Sequence, residues 1–145
     1  MSEKRIHAGF TLLELMIVIV IIGILASLTI PRMAAAIRKA NEGATRGKVG
    51  TLRTAISIYY ADRDGTFPAD LTPITQPGSK YYLKIFPAYT FEHGNSNDIA
   101  YPAAFDGVSD AGSWAYVTGT GGPDAGRVWI LCVHTDAASK VWNQY

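Results

Sequence analysis

The chain has 145 residues with 13 lysines and arginines against 12 acids, a net charge of +1, 48% hydrophobic residues and one cysteine. That balance is neither strongly basic nor strongly acidic, and a single cysteine excludes an internal disulfide. The first thirty residues are set apart by composition, so about 115 residues remain for a soluble part, enough for one modest core.

Residues 1–9, MSEKRIHAG, form a short polar leader with Lys4 and Arg5, ending in Gly9. Residues 10–30, FTLLELMIVIVIIGILASLTI, are an apolar run with one carboxylate, Glu14. As a helix rising about 1.5 Å per residue the run covers roughly 30 Å, the thickness of a hydrocarbon core. An ionised carboxylate there costs on the order of 2.5–3.5 kcal/mol on insertion scales, so it calls for a use such as pairing with a cation of another chain. The plain alternative places Glu14 at headgroup level.

The junction Gly9, Phe10, Thr11, Leu12, Leu13, Glu14, with the whole of GFTLLELMIVIVIIGILA, resembles the type IV prepilin processing site. The resemblance implies cleavage between Gly9 and Phe10 by a membrane aspartic peptidase, the prepilin peptidase, and N-methylation of the new Phe10 amine. It also implies assembly through Glu14, which pairs with the Phe10 amine of a neighbouring subunit. The motif is specific and covers about a fifth of the chain. A secretory signal cleaved after Ala36 is the competing reading. The apolar run exceeds the usual stretch of about 7–15 residues, contains Glu14, and is followed by Arg32 before the cleavage point. Orientation is in conflict: Arg32, Arg38, Lys39, Arg46 and Lys48 outnumber Lys4 and Arg5, so a positive-inside count puts the body in the cytoplasm. The resemblance implies the opposite and is preferred.

Pro31 follows the run; in a helix it removes a hydrogen bond and clashes with the Ser27 carbonyl, and Gly23 weakens the same stretch. Both match positions where the resembled family breaks its helix, so a helix break is expected at Gly23 and Pro31; a plain helix end at Ile30 is the alternative. Residues 31–62 then read as an amphipathic stem. Val49, Leu52, Ala55, Ile56 and Tyr59 recur at three and four residues. Gly43, Gly47 and Gly50 lie nearly opposite, where a neighbouring backbone could approach or where glycine is simply tolerated.

Charge is uneven. Residues 32–53 hold six basic residues against Glu42, whereas residues 62–145 hold nine acids against five basic residues. Stacked copies would bring basic stems beside acidic heads; solvated charge is the bland reading.

Asp64-Gly65 with Pro68 ends the stem and opens the turn-rich segment DRDGTFPADLTPITQPGS. Asp62, Asp64 and Gly65 hint at a calcium loop, but its first and twelfth positions would be Tyr60 and Leu71, so that reading fails. Strands are predicted at 80–86, near 97–101, and at 113–118, 127–134 and 140–145, the last three as an antiparallel meander. Cys132 alternates with Val128 and Ile130 and reads as a buried apolar residue. Pilins commonly close a C-terminal loop with a disulfide; here the outer loops must be held otherwise. GTGGPDAG lacks the residues of a phosphate loop and reads as a strand connection. His93 and His134 stand in unrelated sequence contexts, and no catalytic, cofactor or metal-spaced pattern is seen.

The expected fold class is α+β: a long N-terminal helix, membrane-spanning in its first half and interrupted at Pro31, packed by its second half on a small antiparallel β-sheet head. The expected divisions are 1–9 leader, 10–30 transmembrane and filament-core helix, 31–62 stem and 63–145 head. The expected function is a non-enzymatic, cofactor-free subunit of a type IV pilus, a self-associating helical homopolymer. Its implied partners are the prepilin peptidase and an inner-membrane assembly platform. The precursor would sit in the inner membrane and the assembled subunit in an extracellular filament. A type II secretion pseudopilin is the first alternative, disfavoured because Phe67-Pro68-Ala69-Asp70-Leu71 departs from the Pro-Thr-x-x-Gln-Gly-like segment usual there. A membrane-anchored binding module is the second, taking a ligand or nucleic acid through Arg38, Lys39, Arg46 and Lys48, without a motif to support it.

Overall fold

A computed structural model describes residues 9–85, 87–119 and 121–145. The expected leader, apart from Gly9, lies outside these residues. Helix α1 is Leu12–Asp62, 51 residues long. The chain divides into two compact units after Ile37, and each is described by itself.

In the first unit every described residue is exposed, Phe10 at 74% and Leu28 at 64% among them. An apolar helix exposed along all its described residues is suited to bury against lipid or other copies. By length and composition α1 can cross a membrane. The helix does not break at Gly23 or Pro31, both of which lie inside α1, so the expected interruption is absent from this structure. One proline costs about 3 kcal/mol against alanine, and the flanks absorb it. Leu28, Ile30 and the alanines Ala34 to Ala36 favour or tolerate helix.

The second unit, Arg38–Tyr145, holds the core. Val49, Leu52 and Ile56 are at most 2% exposed, with Ala55 partly buried beside them, so the expected apolar stripe is the packed face of the stem. Gly47 and Gly50 are exposed, and a Cβ added at either would meet nothing within 4 Å. The helix stops at Asp64 and Gly65, whose φ values of 52° and 82° turn the chain; the Gly65 N–H donates to the Tyr60 carbonyl at 3.0 Å.

After the short helix α2 (Thr72–Thr75), β1 (Ala88–Thr90) and β2 (Gly94–Ser96) pair as an antiparallel hairpin. A three-stranded sheet follows in the order β3 (Ile99–Ala100), β4 (Trp114–Tyr116), β5 (Val128–Ile130). β3 runs parallel to β4, and β4 antiparallel to β5. The sheet is therefore mixed, within the expected α+β class. Its two faces are filled by alternation: Trp114, Tyr116, Val128 and Ile130 join the stem residues, while Ala115, Val117, Trp129 and Leu131 form a second cluster under Phe105. Phe105 meets Trp129 edge-on at 5.1 Å.

Two strand expectations fail. Residues 80–85 are turn and irregular chain, because no strand pairs with them; the Leu83 N–H instead donates to the Ile74 carbonyl at 2.6 Å. The segment 140–145 makes one bridge, Thr135 with Val141, then a 3₁₀ turn at Trp142–Gln144, so the meander has two strands. Tucking Trp142 into the core at 1% exposure outweighs extending the ladder. The hairpin of β1 and β2 was not foreseen.

Candidate functional site

The start of α1 is closed by its own side chains. The Glu14 N–H donates to Thr11 Oγ1 at 3.2 Å, and Glu14 Oε2 accepts from the Thr11 N–H at 3.2 Å and the Thr11 hydroxyl at 3.1 Å. With Thr11 at the N-cap and Glu14 three residues on, this is a capping box, and the carboxylate also lies at the positive end of the helix dipole. Phe10, Glu14 and Gly9 are all exposed. The structure thus places Gly9, Phe10 and Glu14, the residues expected to serve processing and assembly, together at one helix terminus, with Gly23 and Pro31 farther along the same exposed helix. Glu14 has a local role that sequence reading overlooked although Thr-Leu-Leu-Glu spells it.

Three of the stem's basic residues are bonded within their own unit. Arg38 Nε donates to Glu42 Oε1 at 2.9 Å, and the second Glu42 oxygen accepts the Ala137 N–H at 2.8 Å, with Glu42 fully buried. Arg46 Nη1 reaches Asp136 Oδ2 at 3.1 Å, an oxygen that also accepts from the Tyr145 hydroxyl at 2.6 Å. Burial pushes the Asp136 carboxyl upward, but Tyr145, the Lys140 and Ala138 N–H groups and Arg46 outweigh it and hold its pKa below the usual carboxylate value. Tyr145, desolvated and bonded to that carboxylate, is held above the usual phenol value. Arg53 donates to the carbonyls of Val128, at 3.0 Å, and Tyr145. Hence Arg38, Arg46 and Arg53 are engaged within the unit. The expectation that these charges seek acidic heads of neighbours, or a nucleic acid, loses them.

Two histidines that seemed unrelated are brought together. His93 follows β1, Asp110 precedes β4, and Cys132 and His134 follow β5. His93 Nε2 is 2.8 Å from Asp110 Oδ1 and 3.3 Å from His134 Nδ1. No local pattern linked His93 and Asp110 to the rest; the Cys132-x-His134 spacing, which puts both on one side of an extended segment, was the only legible trace.

Residues 4–30 match the family model described as the prokaryotic N-terminal methylation motif. Fimbrial protein EcpC of Eikenella corrodens is 42% identical over 67 residues, 46% of this chain and 43% of that protein. Type II secretion system core protein G of Vibrio cholerae is 34% identical over 88 residues, 57% of this chain and 60% of that protein. Type IV major pilin protein PilA of Myxococcus xanthus is 31% identical over 101 residues, 68% of this chain and 46% of that protein. The chain belongs to the type IV pilin and pseudopilin family. No solved structure matches it.

The matched stretches span about half the length of these curated relatives. The methylation motif, residues 4–30, includes the exposed start of α1. Phe67, within the segment that departs from the secretion pattern, is seated by two glycines: a Cβ on Gly126 would fall 2.3 Å from its ring and one on Gly119 2.6 Å from its Cβ. The Tyr116 hydroxyl donates to the next carbonyl, that of Pro68, at 2.7 Å. The departing segment is therefore a built part of this head.

Proposed function

We propose that the chain is a structural subunit of a type IV pilus, with the divisions 1–9, 10–30, 31–62 and 63–145 serving as leader, filament-core helix, stem and head. The observation that carries the proposal is the helical terminus of α1, apolar, exposed on every side and bearing the single carboxylate Glu14. In this reading the precursor waits in the inner membrane and the prepilin peptidase cuts between Gly9 and Phe10, freeing and methylating the Phe10 amine. An assembly platform then extracts the subunit into a homopolymer. Glu14 exchanges its bonds to Thr11 for the amine of the adjacent copy, and bundled apolar helices supply most of the cohesion. Such a subunit binds and positions; it catalyses nothing.

A secretion pseudopilin is the second reading, favoured by the larger share, 60%, of the Vibrio protein that the match covers. The test is to shear surface material from cells expressing the chain, image it, and take intact masses. Long surface filaments of subunits starting at Phe10 support the pilus. Processed subunits that stay in the envelope, with secretion lost on deletion, favour the pseudopilus. A mature start at Ile37 or Met1 contradicts both.

A further inference from the structure

The cluster at His93, Asp110, Cys132 and His134 has no part in assembly through α1. Its four donor atoms, two imidazole nitrogens, a carboxylate oxygen and a sulfur, all lie within 4.8 Å of one another. His134 Nδ1 stands 3.3 Å from His93 Nε2, 3.4 Å from Asp110 Oδ1 and 3.7 Å from Cys132 Sγ. Bonds of about 2.0–2.1 Å to nitrogen and about 2.3 Å to sulfur in a tetrahedron place neighbouring donors roughly 3.3–3.6 Å apart. Three separations already suit that figure. A shorter one, the 2.8 Å contact of His93 with Asp110, is a hydrogen bond that an ion would open.

We propose that these four side chains form a zinc site that clips three loops of the head together. The donor set selects the ion. Calcium and magnesium take oxygen ligands, whereas two imidazoles, a thiolate and a carboxylate in tetrahedral arrangement suit Zn²⁺ and complete its coordination. The thiolate and carboxylate neutralise the ion's two charges, and Glu92 adds negative potential at the cysteine.

The surroundings position these ligands. Asp110 Oδ1 also accepts the Val133 N–H at 3.1 Å, tying the β4 approach to the segment between the cysteine and the second histidine. The His134 and Cys132 carbonyls accept the N–H groups of Trp142 and Asn143 at 3.1 Å each. Gly112, at φ +66°, makes room for the first histidine: an added Cβ would fall 2.3 Å from His93 Cβ. Cys132 is fully buried at the floor, while the His93, Asp110 and His134 side chains are 22%, 31% and 43% exposed, which leaves an entry from solvent.

Binding replaces a proton. The buried thiol, pushed up to about 11, gives its proton to solvent as the Zn–S bond forms. The His93 Nε2–H that bonds Asp110 is lost in favour of the other tautomer, so one proton leaves per ion when both imidazoles are neutral. No oxidant is needed. The ion provides the loop cross-link that a lone cysteine cannot.

The test uses the full chain in detergent, stripped with chelator and titrated with Zn²⁺ and, as a spectroscopic probe, Co²⁺. Expected are one bound equivalent, a thiolate-to-cobalt charge-transfer band with intense tetrahedral d–d absorption, indifference to excess Ca²⁺, and a raised melting midpoint. Cys132→Ser should abolish the charge-transfer band. His134→Gln and Asp110→Asn, at partly exposed positions, should keep the fold by circular dichroism and weaken binding at least tenfold. Absence of bound metal and of the cobalt bands in the folded wild-type chain, leaving a hydrogen-bonded cluster only, would overturn the proposal. So would a charge-transfer band that survives Cys132→Ser, or wild-type affinity in the folded His134→Gln variant.

Discussion

Two glutamates on one helix have opposite surroundings. Glu42 is fully buried, with one oxygen on Arg38 and the other on the Ala137 N–H, all within its own head. Glu14 is exposed, holds only Thr11, and sits on a stretch of helix with no buried residue. A buried carboxylate whose partners are supplied in cis contributes to folding, while an exposed one on an apolar surface is left to form pairs in trans. The same split separates the two halves of α1. Val49, Leu52 and Ile56 are consumed by the sheet, and Leu12 to Ile30 are available.

The comparison yields graded outcomes. The largest effect on folding is expected in the head, where Trp114→Ala should cost about 3–5 kcal/mol by cavity formation, read as a lower urea midpoint of the detergent-solubilised chain. Leu25→Ala, at 60% exposure, should leave that midpoint unchanged. Next, Glu42→Ala strands the Ala137 N–H and removes the Arg38 partner, and should lower stability by about 2–3 kcal/mol. Glu14→Ala should lower it by under about 0.5 kcal/mol, since its cap frays only the first turn.

Acid sharpens the same division. Asp136 is held below the usual carboxylate value in the fold, so its contribution is present above about pH 4 and is lost as pH falls through its lowered folded value. The head should therefore weaken as acid is added. Asp136→Asn should start less stable and lose less over that window, measured by urea midpoints at stepped pH. The smallest effect expected is that of salt on the stem. Arg38, Arg46 and Arg53 are partnered in cis, so raising ionic strength should loosen assembled filaments only slightly, by light scattering.

What could be read in the residues follows from how local the signal is. The apolar run and the stripe at Val49, Leu52 and Ile56 are patterns within one helix, and both were legible. The capping box is equally local, spelled by Thr11-Leu12-Leu13-Glu14 at the helix start. Strands were read less well. Lys80 to Ile85 and Lys140 to Tyr145 have strand composition but lack pairing along their length, and pairing is a property of the partner. Ala88–Thr90 is only three residues long and Gly94–Ser96 is composed of residues with weak strand preference, so their hairpin left little trace. The expected break at Pro31 failed because a local cost does not decide a long helix whose other bonds persist. The four-residue cluster depended on loops that meet only in three dimensions.

The central claim is that the exposed terminus of α1 assembles subunits while the head is complete without them. Its most direct test is to express Glu14→Lys, verify by intact mass that the chain is processed to Phe10, verify by urea midpoint that the head is as stable as wild type, and count surface filaments. The account predicts a processed, stable subunit and almost no filaments, because two positive charges then oppose each other where one pair should form. Wild-type filament numbers from the processed variant would contradict it.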